Sequence, residues 1–283
     1  MSFKSIGITG STGLLGSYVK SNFKNIKFDC FRGDITCKKD IQHWLKGKKF
    51  EALFHFAAVV PTSKVLKNYV NSKKVNYIGT KLLIDEVQKN QTTKWFLFSS
   101  TSHVYNFSKQ KINENSIIKP ISKYGETKLM AEKYLFKKKQ KLKICIIRIF
   151  SYTNFNQENS FFIPSIYKKI LNNNLLRLDN INHVRDFIDI ADINSAIKLL
   201  YRKKLTGIYN LGSGKPTFLI NIVKHLANVL QKKYVINKLN KQTKLVADIR
   251  KIKKLGWKPK KDIIRILNSY HLNYKKKIKF YDI

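Results

Sequence analysis

An α/β architecture, a doubly wound parallel sheet with a smaller C-terminal region, is what this sequence predicts, and three observations predict it. Short β-branched or aromatic runs alternate with longer amphipathic segments through the first 150 residues. The short runs are apolar along their whole length, as strands covered by helices on both faces must be. A glycine-spaced stretch, GITGSTGLLG at residues 7–16, joins the first run to the first amphipathic segment. This βαβα order is that of a parallel sheet layered with helices.

Taken in order, strands are expected at Ser5–Thr9, Lys27–Phe31, Ala52–Phe56, Lys94–Ser99 and Lys143–Ile149. Helices are expected at Gly13–Ser21, Cys37–Lys46, Val65–Asn90 and Gly125–Lys139. Past about residue 150 the pattern loosens into loop-rich, Asn-rich sequence; it resumes with GIYNLGS (207–213) as a strand and Ile220–Gln231 as a helix. With no internal repeat and no low-complexity linker, the second half is expected to pack on the first. The expected division is residues 1–150 and 151–283, with some later segments returning to the first sheet.

At 283 residues and 43% apolar, the chain can bury a large core. The strand-like run from Phe3 follows the initiator methionine directly, and no apolar stretch approaches the roughly 20 residues that span a bilayer, so a soluble cytoplasmic protein is expected. Cys30, Cys37 and Cys145 are odd in number and lack metal-type spacing, which argues against a disulfide framework or a metal site. The formal charge of +39 invites a nucleic-acid reading. Yet only seven of the 56 basic residues are arginine, the better reader of phosphates and base edges, and the lysines, including the runs 137–139 and 275–277, are spread throughout. Heavy use of Lys, Asn, Ile, Phe and Tyr is what an adenine- and thymine-rich genome produces, so no specific nucleic-acid partner is expected. The same field attracts anionic small molecules.

Gly10, Gly13 and Gly16 follow a strand and open a helix. In that position the first permits a tight turn, the second lets backbone approach a pyrophosphate, and the third lets the helix pack on the sheet. The helix N-terminus adds unpaired N–H groups and partial positive charge. A glycine triplet alone also makes an ordinary turn. Further on, Tyr124 and Lys128 in SKYGETKL are four apart and share a helix face. A tyrosine ionises near pH 10, so a neighbouring ammonium is what suits it to proton transfer at neutrality; by itself such a pair is also an ordinary surface pair. Just upstream, FLFSSTSHVY places Ser99, Ser100 and Thr101 at a strand end, where parallel sheets bind ligands and where serines otherwise cap turns.

With these motifs in this order, the chain resembles the extended short-chain dehydrogenases/reductases, in the group of NAD(P)-dependent nucleotide-sugar epimerases and dehydratases. The likeness runs almost end to end, through GDIT at Asp34, HFAA at 55–58, VNYIGT around Asn76, SSTSHVY, the Tyr124–Lys128 pair, IIRIF around Arg148, RDFIDIADI from Arg185, YNLGSG from Tyr209 and ADIRKIKKLGWKP. The resemblance implies a Rossmann-type NAD(P)-binding domain over residues 1–150 and a mainly substrate-binding region over 151–283. It implies Tyr124 as acid/base, Lys128 as the residue that lowers its pKa and holds the nicotinamide ribose, and Thr101 as a hydrogen-bonding partner of the same sugar oxygen. The cofactor bed it implies comprises Gly10, Thr12, Gly13, Leu14, Leu15, Gly16, Arg32, Asp34, Ile35, Phe56, Ala57, Ala58, Asn76 and Ser99, together with Tyr124 and Lys128. Substrate would meet Thr101, Ser102, Tyr124, Ser151 and Arg185, the arginine facing the diphosphate of a nucleotide sugar.

Departures from the family pattern narrow the reaction. Dehydratases carry an acidic pair directly after the catalytic hydroxyl, where this chain has Ser102 and His103; the GDP-fucose synthase type has a cysteine where Thr101 stands. Ser151 occupies a place where epimerases commonly have asparagine, and His103 reads as a packed polar residue. The expected activity is 4-epimerisation of a nucleotide sugar through transient hydride transfer; the alternatives are an NADPH-dependent 4-keto-sugar reductase and, in another class, a non-catalytic dinucleotide sensor or RNA-binding protein. In KFDCFRGD, Asp29 falls mid-strand and Arg32 at the strand end, which favours NADP over NAD. Relatives pair through two long helices, so a homodimer is expected.

Overall fold

Five apolar runs become parallel strands: β1 (Ser5–Thr9), β2 (Lys27–Cys30), β3 (Ala52–His55), β4 (Trp95–Thr101) and β5 (Lys143–Ile149). The computed structural model describes residues 5–139 and 142–281, with side chains through residue 274. The strand Gly207–Leu211 completes a six-stranded sheet in the order Gly207–Leu211, β5, β4, β3, β1, β2. The chain thus leaves β1 first to one side and then to the other, and the reversal lies between β1 and β3. In such sheets the crevice beyond the carboxyl ends at the reversal is the ligand position.

The connecting helices are α1 (Leu14–Asn22), α2 (Lys38–Leu45), α3 (Thr62–Lys67), α4 (Tyr69–Lys73), α5 (Thr80–Lys89) and α6 (Lys123–Lys138). Their apolar stripes bury Ile41, Trp44, Leu83, Val87 and Leu135 against Phe96, Phe98 and Ile144 of the sheet. Expected and observed strands agree within two residues at each end.

The expected single helix Val65–Asn90 is corrected to four pieces. Asn68 leaves helical backbone (φ −143°, ψ 76°) and its side chain accepts the Asn71 N–H at 3.1 Å, which ends α3 and caps α4. A π-helical turn, Lys74–Gly79, then precedes α5. Turns of this kind are frequent at functional sites.

The chain forms two compact units. The first is Met1–Asn106, Ser116–Ile149 and Asn194–Asn210; the second is Phe107–Asn115, Phe150–Ile193 and Leu211–Ile283. The second unit is more regular than the loop-rich sequence suggests. It contains a helix at Phe162–Asn172, and its strand Leu175–Asp179 pairs in parallel with Lys233–Lys238. The helix Phe162–Asn172 starts without a side-chain cap or a first-turn acid, so no start signal announces it. It is held instead by Ile163, Ile166, Tyr167 and Ile170, packed with Leu219, Val223 and Tyr270. The lysine run 275–277 falls within the helix Ile263–Tyr281, and its side chains lie outside the described set.

Asp186 organises this unit. Fully buried, its carboxylate accepts Ser213 N–H and Ser213 O–H, both at 2.6 Å, Gly214 N–H at 2.9 Å and Ala247 N–H at 3.1 Å. One side chain therefore ties the RDF, LGSG and ADIRK segments together. Burial pushes its pKa up to about 6 against the pull of these donors. Asp186→Asn turns an amide N–H₂ toward at least one of these fixed donors and is expected to cost about 1–3 kcal/mol by urea unfolding; unchanged stability would show the four bonds to be dispensable.

Candidate active site

The glycine turn begins where β1 ends. Gly10 has φ +69°, and a Cβ there would lie 2.5 Å from Ala57 N; at Gly16 a Cβ would lie 2.1 Å from Gly10 O. Both glycines are demanded by the protein's own packing. Gly13 is not: a Cβ there would meet only Gly10 O, at an ordinary 3.5 Å. The space over Gly13 is thus clear of protein, and α1 opens beside it with no side-chain cap and no acid in its first turn. Uncapped N–H groups facing cleared space suit a pyrophosphate. Thr12 and Gly13 are exposed, Leu14 half-buried, and Leu15 and Gly16 buried.

At the end of β2, Asp29 is already engaged. It accepts Trp44 Nε1–H at 2.7 Å and pairs with Lys48 Nζ at 2.8 Å. Arg32, two residues past the strand, is exposed, as is Asp34, which accepts the N–H and O–H of Thr36 and is held below the usual carboxylate range by those bonds. Ile35 is buried. Ala57 N–H reaches Thr9 Oγ1 at 3.3 Å in the segment after β3. The Asn76 amide is spent inward: its Oδ1 accepts Val59 N–H at 2.7 Å, while Nδ2 donates to Val59 O at 3.3 Å and Thr127 Oγ1 at 3.1 Å. Asn76 therefore shapes the segment Phe56–Val59 from behind.

Thr101 is the last residue of β4, and its hydroxyl accepts the His103 N–H at 3.2 Å. The chain returns to this point at α6. Ile121 N–H donates to His103 O at 3.0 Å, Ser122 Oγ accepts Gly125 N–H at 3.1 Å, and the His103 ring meets Ser122 Oγ at 2.9 Å. A Cβ at position 125 would lie 2.2 Å from His103 O, so only glycine lets the helix approach this closely. Tyr124 consequently stands on the first turn of α6, beside the end of β4, with the His103 ring edge-on to it at 6.1 Å. Ser102 is buried and Ser99 half-buried in the same strand end.

One turn on, Lys128 is fully buried with Nζ 4.3 Å above the Phe98 ring. Burial pulls its pKa down to about 7, opposed by the charge of Glu132. One further turn on, Glu132 receives Arg148 Nε at 3.0 and 3.2 Å and Nη2 at 2.6 Å, and it also accepts the Ser100 hydroxyl. The Arg148 guanidinium lies over the Tyr105 ring at 4.7 Å, and Tyr105 O–H donates to Asn210 Oδ1 at 2.8 Å. Tyr124, Lys128 and Glu132 thus form one stripe at i, i+4 and i+8, anchored at its base by a buried ion pair.

A family model described as NAD dependent epimerase/dehydratase family matches residues 6–212. The chain belongs to that family. It is 28% identical over 284 residues to a UDP-glucose 4-epimerase of Lactobacillus helveticus, covering 87% of this chain and 84% of that one. It is 25% identical over 266 residues to a dTDP-D-glucose 4,6-dehydratase of Dictyostelium discoideum, covering 78% of this chain and 61%, under two thirds, of that relative. In fold it is similar to RMD from Pseudomonas aeruginosa, solved in complex with NADPH, at a TM-score of 0.88 and 21% identity over 97% of this chain and 99% of that one. Among the described residues no helix is long and apolar enough to cross a membrane.

Of the residues expected at the site, the first unit holds the glycine turn, Arg32 to Ile35, Phe56 to Ala58, Asn76, Ser99 to Ser102, Tyr124 and Lys128. Ser151 and Arg185 belong to the second unit. Arg185 donates to Val184 O at 2.9 Å and to Thr243 O and Oγ1, both at 3.0 Å, and stacks on Phe107 at 5.3 Å. It has no carboxylate partner among the described residues, and burial lowers its pKa to about 10. The same unit has a cavity of about 550 Å³ lined in part by Phe161, Lys169, Arg177 and Asp179, residues that carry no motif. Glu132 carried one faint signal, its four-residue spacing from Lys128.

Two outcomes are expected. Glu132→Gln leaves Arg148 buried without a countercharge and destabilises by about 3–5 kcal/mol, whereas combining Glu132→Leu with Arg148→Met in one chain loses much less; equal losses would show that the charge pairing is immaterial. Lys128 has a folded pKa near 7 against 10.5 unfolded, so between those values the unfolded chain binds the extra proton and stability rises with pH. Denaturant midpoints measured from pH 7 to 10 should climb in the wild type relative to Lys128→Met.

Proposed function

We propose that the chain is a nicotinamide-dinucleotide-dependent nucleotide-sugar epimerase, of the 4-epimerase type, inverting one ring carbon by oxidising its hydroxyl and reducing the resulting ketone from the other face. The observation that carries this reading is Lys128: a buried amine, charged in part near pH 7, on the same helix face as Tyr124, over Phe98 and with no hydrogen-bond partner among the described residues. A cation in that position has two uses. It favours the phenolate of Tyr124, and it can hold ribose hydroxyls.

Tyr124 would take the proton of the sugar hydroxyl on oxidation and return it on reduction, a role limited to groups within hydrogen-bonding reach of the reacting oxygen. Thr101 would hydrogen-bond that oxygen, its own acceptor capacity partly filled by His103 N–H. His103, through Ser122, would hold the first turn of α6 still while protons move. A bound nicotinamide would supply the acceptor and donor of the hydride. Gly10, Thr12, Gly13, Leu14, Leu15 and Gly16 would hold its pyrophosphate, with Asp34, Ile35 and Phe56 to Ala58 along the rest of the dinucleotide. Arg185 and Ser151 would meet the sugar nucleotide. Ser102 and His103, where dehydratases have an acidic pair, speak against loss of water.

A second reading, an NADPH-dependent 4-keto-sugar reductase, is favoured by one observation. Asp29, the carboxylate that would take a ribose 2′-hydroxyl, is bound to Trp44 and Lys48, while Arg32 is exposed and fit for a 2′-phosphate. NADP is accordingly the expected dinucleotide, and Arg32→Glu should reverse the ratio of the NADP and NAD dissociation constants.

The deciding experiment incubates the protein with UDP-, GDP- and dTDP-sugars and follows nicotinamide absorbance with product stereochemistry. A new stereoisomer without net cofactor use supports the epimerase; stoichiometric oxidation of NADPH supports the reductase. Tyr124→Phe should lower kcat at least about 100-fold. Turnover that survives this substitution would remove the tyrosine from the mechanism.

A further inference from the structure

His55 is the last residue of β3, fully buried, with both ring nitrogens on hydroxyls: Nδ1 lies 2.6 Å from Thr9 Oγ1 and Nε2 lies 2.8 Å from Thr80 Oγ1. The proton positions can be deduced. Thr80 Oγ1 donates to the Asn76 carbonyl at 2.9 Å, and a carbonyl can only accept, so the single proton of Thr80 is committed there. Toward His55, Thr80 must therefore accept, and Nε2 must carry the hydrogen. A neutral imidazole then has a bare Nδ1, which accepts from Thr9. Thr9, having given its proton to His55, uses its lone pairs to accept the Ala57 N–H at 3.3 Å.

Every bond in the row thus runs in one direction, from Ala57 N–H through Thr9, His55 and Thr80 to the Asn76 carbonyl. The row continues through the Asn76 side chain, which grips Val59 at its N–H and carbonyl and donates to Thr127 Oγ1; Thr127 in turn donates to the Tyr124 carbonyl at 2.8 Å. The opposite tautomer would set a bare Nε2 against a Thr80 oxygen whose proton points away. The charge that reaches His55 is that of Lys128, which shares the Phe98 ring: His55 stacks on it at 5.7 Å and Lys128 Nζ lies 4.3 Å above it. Burial and that neighbouring positive charge both oppose a second proton on the imidazole, and its pKa falls to about 3.

We propose that His55 is a positioning residue for dinucleotide binding: held as the neutral Nε2–H tautomer between Thr9 and Thr80, it couples the base of the glycine turn to the segment Phe56–Val59 and, through Asn76, to the helix bearing Tyr124. Thr9 directly precedes Gly10, whose own close approach to Ala57 N leaves no room for drift between turn and segment. Losing either hydroxyl frees the Ala57 or Asn76 anchor, and the two walls of the dinucleotide bed lose their common reference. This inference rests on the dinucleotide-dependent reading above.

The test uses the full chain and titrates NADP and NAD by calorimetry, independently of any turnover. Thr9→Val and Thr80→Val, which keep shape and remove the hydroxyl, are each expected to weaken binding about tenfold, the effect of one buried hydrogen bond. Thr9→Ser and Thr80→Ser should bind within about twofold of the wild type, since the hydroxyl is what counts. The Thr9→Val/Thr80→Val double variant should fall well short of about 100-fold, because the two act as one unit through His55. In the wild type, ¹⁵N chemical shifts of the imidazole should report a protonated Nε2 and a bare Nδ1 down to about pH 5, well above the depressed pKa. A protonated Nδ1, Val variants that bind like the wild type, or strictly multiplicative losses in the double variant would each overturn the proposal. A wild type that binds neither dinucleotide would overturn the function proposed above and this inference with it, whereas tight wild-type binding with indifferent variants would overturn this inference alone.

Discussion

A steric constraint at one backbone contact sets the rest of the site: α6 meets the end of β4 so closely that position 125 has no room for a Cβ against the His103 carbonyl. Everything chemically useful on α6 is indexed from that contact. Tyr124 precedes it by one residue, Lys128 follows three residues later, and Glu132 lies a turn beyond that. A helix allowed to stand off by even an ångström would carry the stripe with it. The contact is held in place by the Ile121 N–H, the Ser122 cap and the His103 ring, so the polar groups of the helix start are satisfied within the same junction that fixes its position.

The far end of the stripe is held by different physics. A carboxylate as deep as Glu132 is expensive to desolvate, and a bidentate arginine with an added hydroxyl is among the few partner sets that offset the cost. The same arginine could have served Lys128 poorly, being of like charge, and the lysine is left with only a ring face and the more distant carboxylate. The stripe on α6 thus divides: Glu132 is paired within the protein, while Lys128 retains an amine whose hydrogen-bonding capacity has no protein partner among the described residues. Asp29 and Arg32 repeat this contrast at the end of β2, where the acid is consumed by Trp44 and Lys48 and the base remains exposed.

Most of the sheet was legible because its signal is local. β1 and β5 have the expected ends, since an apolar run bounded by turn residues needs no distant information to be recognised. The glycine turn after β1 and the hydroxyl run at the end of β4 have the expected positions for a related reason: each lies at a strand end, where sequence spacing and spatial position coincide. Legibility failed where an interaction across the fold decides local structure. The long helix expected over Val65–Asn90 breaks because Asn68 caps a new start and because Asn76, in the π-helical turn, reaches across to Val59. Periodicity within the segment contains neither fact. Asp186 reads as one more charged residue in RDFIDIADI, and only folding brings Ser213, Gly214 and Ala247 around it. The helix at Phe162–Asn172 was hidden by asparagines around it and by the absence of any capping residue.

The large positive charge bears on these features unequally. At physiological ionic strength, fields between exposed lysines and the site are screened over about 8 Å, so the surface charge contributes little to the ionisation of a buried group. Lys128 is depressed by its own burial, with Glu132 as the opposing charge, and the 56 basic residues as a whole are not needed to explain it. Where the net charge does act is outside, on the approach of anions: a small anionic molecule meets an attractive field before it meets any specific residue. Such a field does not distinguish one anion from another; under the proposed function that falls to groups of fixed geometry, such as the cleared space over Gly13 in the first unit. A strongly basic chain and a selective site are therefore compatible, because the net charge governs how often an anion arrives and fixed local geometry governs which anion stays.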